Sequence, residues 1–291
     1  MSNVIKIAIQ GIIGSNHYIV AKNYFGEETR IHEFLSFDKL VDCIVSENCD
    51  YGIMALENTI AGSIIPNYAL IDHNELTIAG EYYLNIHHHL MALPGQALED
   101  IREVCSHPMA LLQCKQYFKQ YPEIKLVEDV DTAEVAKRIF AKQEEGVAAI
   151  APKIAADLFK LNVLKDDIQT IKDNATRFVI VKKMGAERSR SHQESESVST
   201  SLNAQINKAS LKFELDHKRG SLAALLNVMS DCKLNLTKIQ SLPKIDTPWK
   251  YAFFVDVTFD EYEDYAKAKA IIEIMAVDFK ILGEYKNART N

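Results

Sequence analysis

The feature that most constrains this chain is a rhythm. From Val4 to Val181, short apolar runs rich in β-branched residues alternate with stretches of helical period. The spacing predicts buried strands at Val4–Ile9, Tyr51–Leu56, Val104–Cys105, Val147–Ala151 and Phe178–Val181. It predicts intervening helices at His17–Tyr24, Phe37–Val45, Ile64–Ile71, Pro108–Phe118, Thr132–Phe140 and Lys153–Phe159. Such alternation builds a layered α/β architecture with largely parallel strands. Leu76–Leu93 reads as extended chain crossing to a second lobe. Two lobes make a cleft between them, where small ligands usually bind.

Past Val181 the composition changes. Gly185–Ser201 is polar and serine-rich with almost nothing to bury, which reads as a linker. Beyond it, strands at Ser210–Leu215, Leu234–Ile239, Tyr251–Val257 and Phe279–Tyr285 and helices at Ser221–Cys232 and Tyr265–Met275 are expected. That order is βαββαβ, the ferredoxin-like arrangement. Trp249 falls in the turn between two of those strands.

The 291 residues suffice for two or three lobes, and 47% hydrophobic with 25% charged content supports a sizeable core. A net charge of -7 offers no global positive field, so nucleic acid and anionic membrane surfaces are excluded as partners. The five cysteines form no CxxC pair and are expected as reduced thiols. With no signal peptide after Met1 and no uncharged stretch of about 20 residues, a cytoplasmic protein is expected.

Four constellations could carry chemistry. Gly11-Ile12-Ile13-Gly14-Ser15 follows the first strand and opens a helix, whose free N–H groups would face an anion. Alone it fits a structural turn better. Glu57-Asn58-Thr59 through Gly62 lies past the end of a buried strand, where ligands dock in α/β sheets, or is merely a turn. In Ser106-His107-Pro108 through Gln113, Pro108 suits the first helical position. Ser106 and Gln113, seven apart, would share one wall of a pocket. Ser106 and His107 also fit plain helix capping. In Asn174-Ala175-Thr176-Arg177-Phe178, extended chain turns Asn174, Thr176 and Phe178 one way and Arg177 the other. Arg177 would hold a carboxylate or make a surface ion pair.

His87-His88-His89 lie on extended chain and point alternately, so a strand cluster is expected and not a metal site. Glu128, Asp129 and Asp131 read as charges favouring a helix N-terminus.

In this order and at these separations the constellations resemble the prephenate dehydratase family, and the C-terminal part resembles an ACT domain. The resemblance covers nearly the whole chain and includes Ala148-Ala149-Ile150-Ala151. Departures are Ile12 and Met54-Ala55, where the family usually has proline or an apolar-proline pair. The resemblance implies a two-lobed, periplasmic-binding-protein-like catalytic domain at 1–184, with lobe 1 about 1–78 and 172–184 and lobe 2 about 79–171. A polar linker at 185–204 and an ACT regulatory domain at 205–291 would follow. It further implies that Thr176, Ser106, Gln113 and Asn58 do the chemistry. Arg177, Glu57, Thr59, Gly14, Ser15 and Phe178 would bind substrate.

The implied reaction removes carbon dioxide and water from prephenate to give phenylpyruvate, on the way to phenylalanine. Aromatisation supplies the drive, so no cofactor and no metal are expected. Thr176 would donate a hydrogen bond to the departing hydroxide. His217 through Leu222 resembles the glycine loop of an ACT helix, with Gly220, Ser221, Leu222 and Ser241 as candidate contacts for phenylalanine as effector. Gln240 and Leu242 depart from the family's Glu-Ser-Arg-Pro motif. Side-by-side pairing of ACT domains implies a homodimer or dimer of dimers. The alternatives are arogenate as substrate, or a non-catalytic amino-acid or solute-binding regulator. A fused chorismate mutase is not expected, because the first lobe begins at Val4.

Overall fold

In a computed structural model, residues 4–185, 206–216, 218–244, 247 and 250–289 are described. His217, Trp249 and most of the expected linker lie outside them. The chain divides into two compact units, Met1–Ile64 with Tyr83–Phe178, and Ile65–Tyr82 with Val179–Asn291. Residues 65–82 thus group with the C-terminal unit, whereas the family-based boundaries assign most of them to lobe 1.

The first unit is α/β, as the rhythm requires. β1 (Lys6–Gln10) pairs in parallel with β2 (Arg30–Phe34) and β3 (Tyr51–Asn58). Helices α1 (Asn16–Phe25) and α2 (Phe37–Val45) make the crossovers, and β4 (Gly62–Ser63) folds back on β3. Strands β5 (Leu76–Asn85) and β11 (Ala175–Lys183) complete the order β2-β1-β3-β11-β5; each runs from one unit into the other. Ile7, Ile9, Ile53 and Leu56 are fully buried, the signature of strands covered on both faces.

The second sheet contains β6 (His89–Ala92), β7 (Glu103–Ser106), β8 (Lys125–Glu128), β9 (Val147–Ala151) and β10 (Asn162–Lys165), in the order β10-β6-β9-β7-β8. Here β7 is parallel to β8 and β9, while β6 runs antiparallel to its two neighbours. Between the strands run α4 (Pro108–Phe118), α5 (Thr132–Lys142) and α6 (Lys153–Phe159). The starts of α1, α4 and α5 carry side-chain caps: Ser15 accepts from Tyr18 N–H, His107 Nδ1 from Met109 N–H, and Asp131 from Ala133 and Glu134 N–H.

One expectation fails here. Cys43 and Cys49 are joined as a disulfide and not free, because the chain turns back after α2 and brings their Cα atoms to 5.5 Å. Cys105, Cys114 and Cys232 are free.

In the second unit, β12 (Lys208–Glu214), α7 (Ser221–Asp231), β13 (Asn235–Pro243), β14 (Tyr251–Thr258), α8 (Tyr262–Met275) and β15 (Asp278–Tyr285) follow the βαββαβ order. The sheet is antiparallel, ordered β13-β14-β12-β15. Its core includes Leu211, Phe213, Leu225, Met229, Val257, Tyr265 and Ile272. Helix α3 (Ile65–His73) and the start of β5 belong to this unit. Glu81 meets Lys208 in a buried ion pair with both carboxylate oxygens engaged, at 3.0 and 2.8 Å. Gly283 lies so close to β5 that an added Cβ would overlap the Ile78 carbonyl oxygen. Among the described residues, no helix is long and apolar enough to cross a membrane.

Candidate active site

A cavity of about 400 Å³ lies within the first unit, where the ends of strands and the starts of helices meet. Its first-sheet wall comes from Gln10 after β1, the first turn of α1, Asn58 at the end of β3, and Thr176 and Phe178 on β11. The opposite wall comes from Ile86 and His88 ahead of β6, the first two turns of α4, and Asp131 with Thr132 at the start of α5.

The polar side chains form one connected chain whose polarity is set by the backbone. Asn58 Oδ1 accepts from the N–H groups of Ile60 (2.9 Å) and Ala61 (2.8 Å). Its Nδ2 therefore faces the other way, donating to Asn174 Oδ1 at 2.6 Å and to Thr176 Oγ1 at 2.9 Å. Because Thr176 Oγ1 accepts there, its own proton is left to donate. No partner among the described residues takes that proton. Asn174 in turn presents Nδ2 to Gln113 Oε1 at 3.0 Å. The Gln113 amide nitrogen is left with no partner among the described residues. Both free donors belong to residues that line the cavity.

The electrostatics suit an anion without a fixed cation. The N-termini of α1, α4 and α5 open onto the cavity, and among the described residues no lysine or arginine lines it. Burial pushes the imidazole of His17 down to about 3, and burial likewise lowers His88, so both rings are neutral at pH 7. Burial raises the Asp131 carboxyl, against the pull of the two amides it caps.

The remaining expected residues sit around this centre. Ser15 lines the cavity, but Gly14 does not. With φ of +96°, Gly14 lets the start of α1 approach α6, where a Cβ would meet Phe159 at 3.4 Å. Thr59 clamps β3 to β11 by exchanging two hydrogen bonds with Ala175, at 2.9 and 3.0 Å. Glu57 stays in the β3–β4 pairing, outside the cavity.

The expectation that Ser106 and Gln113 share a wall does not hold. Ser106 is the last residue of β7, fully buried, and donates to the Ile150 carbonyl at 2.7 Å. Arg177 is also buried and off the cavity, as strand alternation dictates. In the C-terminal unit Gly220 caps α7 in the left-handed region, Ser221 and Leu222 open that helix, and Ser241 is exposed on β13. A separate cavity of about 400 Å³ there is lined by Lys212, Lys244, Leu242 and Pro243, but by none of those four.

Two residues of the chain of hydrogen bonds, Asn174 and His88, were absent from the expected site. The signal for both was strand alternation. It separates His88 from His87 and His89, whose rings stack on each other at 6.4 Å, and it places Asn174 on the side of Thr176.

Comparison with known families decides the reading. The family model described as prephenate dehydratase matches residues 7–186. The chain belongs to the prephenate dehydratase family.

Among curated relatives, a bifunctional chorismate mutase/prephenate dehydratase of Aquifex aeolicus is 29% identical over 98% of this chain and 74% of its own. An arogenate dehydratase/prephenate dehydratase of Arabidopsis thaliana is 30% identical over 97% of this chain and 72% of its own. Among solved structures, a prephenate dehydratase of Arthrobacter aurescens in complex with L-Phe superposes with a TM-score of 0.82. It has 22% identity and covers 98% of this chain and 90% of that one. A structure described as GqqA, a novel type of quorum quenching acylase, gives the same TM-score at 23% identity and covers 97% of each chain. At these identities the structural likenesses speak to fold.

Proposed function

We propose that this chain converts prephenate to phenylpyruvate, carbon dioxide and water. The observation that carries the reading is the forced polarity of the Asn58–Thr176 hydrogen bond, which leaves the Thr176 hydroxyl, on the wall of the cavity, a donor with no acceptor among the described residues. Prephenate has two carboxylates and one allylic ring hydroxyl. The bond to the ring carboxylate breaks, its electron pair enters the ring, and the C–O bond opposite breaks as hydroxide leaves. One proton is consumed in making water of that hydroxide.

Thr176 donates a hydrogen bond to the leaving oxygen, Gln113 donates its amide N–H to substrate oxygen, and Asn58 holds Thr176 in place. The helix N-termini neutralise the carboxylates in part. Ser106 supports the site by tying β7 to β9.

The test is to mix purified protein with prephenate in chelator at neutral pH and follow phenylpyruvate by its alkaline absorbance. No phenylpyruvate with prephenate, but phenylalanine from arogenate, would assign the amino substrate, which the name of the Arabidopsis relative brings into view. No reaction with either leaves a solute-binding regulator.

The βαββαβ unit supports regulation as an ACT domain, with phenylalanine as effector, the ligand of the Arthrobacter structure. Phenylalanine at about 100 times its Kd raises stability by roughly 2.7 kcal/mol, read as a thermal shift that accompanies a change in turnover. The further parts of this reading are a cytoplasmic homodimer or dimer of dimers.

A further inference from the structure

We infer that His88 is a positioning residue for the reaction, resting on the reading above: it locks the carboxamide of Gln113 so that only the amide N–H side faces the substrate. Two groups have a polarity that cannot be reversed, the backbone N–H groups of Ile60 and Ala61. They fix Asn58, Asn58 fixes Asn174, and Asn174 donates to Gln113 Oε1. The same Oε1 lies 2.8 Å from His88 Nε2. An oxygen that already accepts from Asn174 is faced by a second nitrogen, so that nitrogen is N–H. The neutral ring of His88 is the Nε2–H tautomer.

Two independent features agree. His88 Nδ1 is buried without a hydrogen-bond partner, as a lone-pair nitrogen can be but an N–H at that depth rarely is. The His88 backbone N–H is held at 3.0 Å by Gln169 Oε1, which pins the residue in place at the cavity wall. His87 and His89 take no part, since they pair with Asp167 and Asp166 instead.

With both donors aimed at Oε1, turning the Gln113 amide over would set its NH2 against two N–H groups. The amide is thus held with Nε2 free, ready to donate to a substrate oxygen. His88 touches neither substrate nor proton in this scheme. It acts through Gln113.

The test compares wild type, His88→Leu and His88→Gln, each in the native background and with Gln113→Ala. Removal of the Nε2–H by leucine lowers kcat/KM for prephenate about tenfold or more, in line with the cost of a misplaced catalytic group. Glutamine, which can bring an amide N–H near the former Nε2, recovers most of the loss. In the Gln113→Ala background leucine has little further effect, and the pH–rate profile of His88→Leu keeps the wild-type shape. Loss of one limb of that profile would make His88 an acid or base and overturn the proposal. So would equal, additive losses in both backgrounds, which denote a packing defect.

One arm does not need turnover. In long-range ¹H–¹⁵N spectra of the full chain at pH 7, His88 shows the Nε2–H pattern, and His88→Leu moves the Gln113 side-chain amide signals. A Nδ1–H or charged ring overturns the proposal even if prephenate is not the substrate. Inactive wild type with the expected tautomer overturns only the assignment of substrate.

Discussion

At the scale of single residues, the site works by spending most of its donors on itself and leaving two unspent. Replacement of Thr176 by alanine removes one of them, and kcat should fall by more than about tenfold, with serine keeping activity within about tenfold of wild type. Steady-state rates with prephenate check this, and an alanine variant of near-normal kcat refutes the assigned role. His17 makes a different, thermodynamic prediction. Its Nε2 is buried without a partner, its ring stands edge-on to Phe37 and Phe178, and its pKa is held at about 3 against an ordinary 6.5. The unfolded chain therefore binds a proton below pH 6.5 that the folded chain refuses. Stability falls as pH drops from 6.5 toward 3, by at most about 1.4 kcal/mol per unit from this residue. Melting temperatures of wild type and His17→Gln at pH 7 and 4.5 test the sign, since the variant should lose less on acidification.

Elements were more legible than sites. Helices α2, α4 and α6 and strand β9 begin and end at the residues that periodicity and turn chemistry predict. Strands β2, β8 and β10 were not anticipated, for a shared reason. Each lies at the edge of its sheet, where one side needs no apolar cover, so runs such as Arg30-Ile-His-Glu-Phe34 or Lys125-Leu-Val-Glu128 carry little hydrophobic signal. Asn58, Gln113 and Thr176 were legible only as an ordered set that resembles a family, since each motif alone reads as well as a turn, a cap or a strand entrance. Ser106 was misplaced because nothing in the sequence shows that its hydroxyl is spent on Ile150. Contact between elements was likewise hidden at Gly283, where β15 and β5 approach too closely for any side chain. Gly283→Ala puts a methyl carbon 2.7 Å from Ile78 Cβ, and a loss of about 3 kcal/mol is expected from denaturant titration.

On the largest scale, the two chain segments that make up the C-terminal unit, residues 65–82 and 179–291, are joined by buried charge. Glu81 accepts from Lys208 and from the backbone N–H of Ala288, linking β5, β12 and the segment after β15. Lys208→Met strips the carboxylate of a partner it cannot replace at that depth, and costs about 3–5 kcal/mol. The double variant Glu81→Gln with Lys208→Met should recover much of this, because two neutral groups do not have to be desolvated as ions. Thermal or urea unfolding of the three proteins decides it; a double variant as unstable as the single one would mean the pair acts through shape.

The loop after β3 has an unusual genetic consequence. Ile60 and Ala61 display unremarkable aliphatic side chains, yet their main-chain hydrogens orient every carboxamide from Asn58 to Gln113. Most alleles at codon 60, whose side chain is off the cavity, should therefore be silent, because any L-residue with an N–H supplies the same anchor. At codon 61, whose residue lines the cavity, only small residues should be silent. Proline is the exception: at either position it deletes one anchor while leaving all four polar side chains intact. A screen for inactive but folded variants should return proline there, at sites no inventory of reactive groups would nominate.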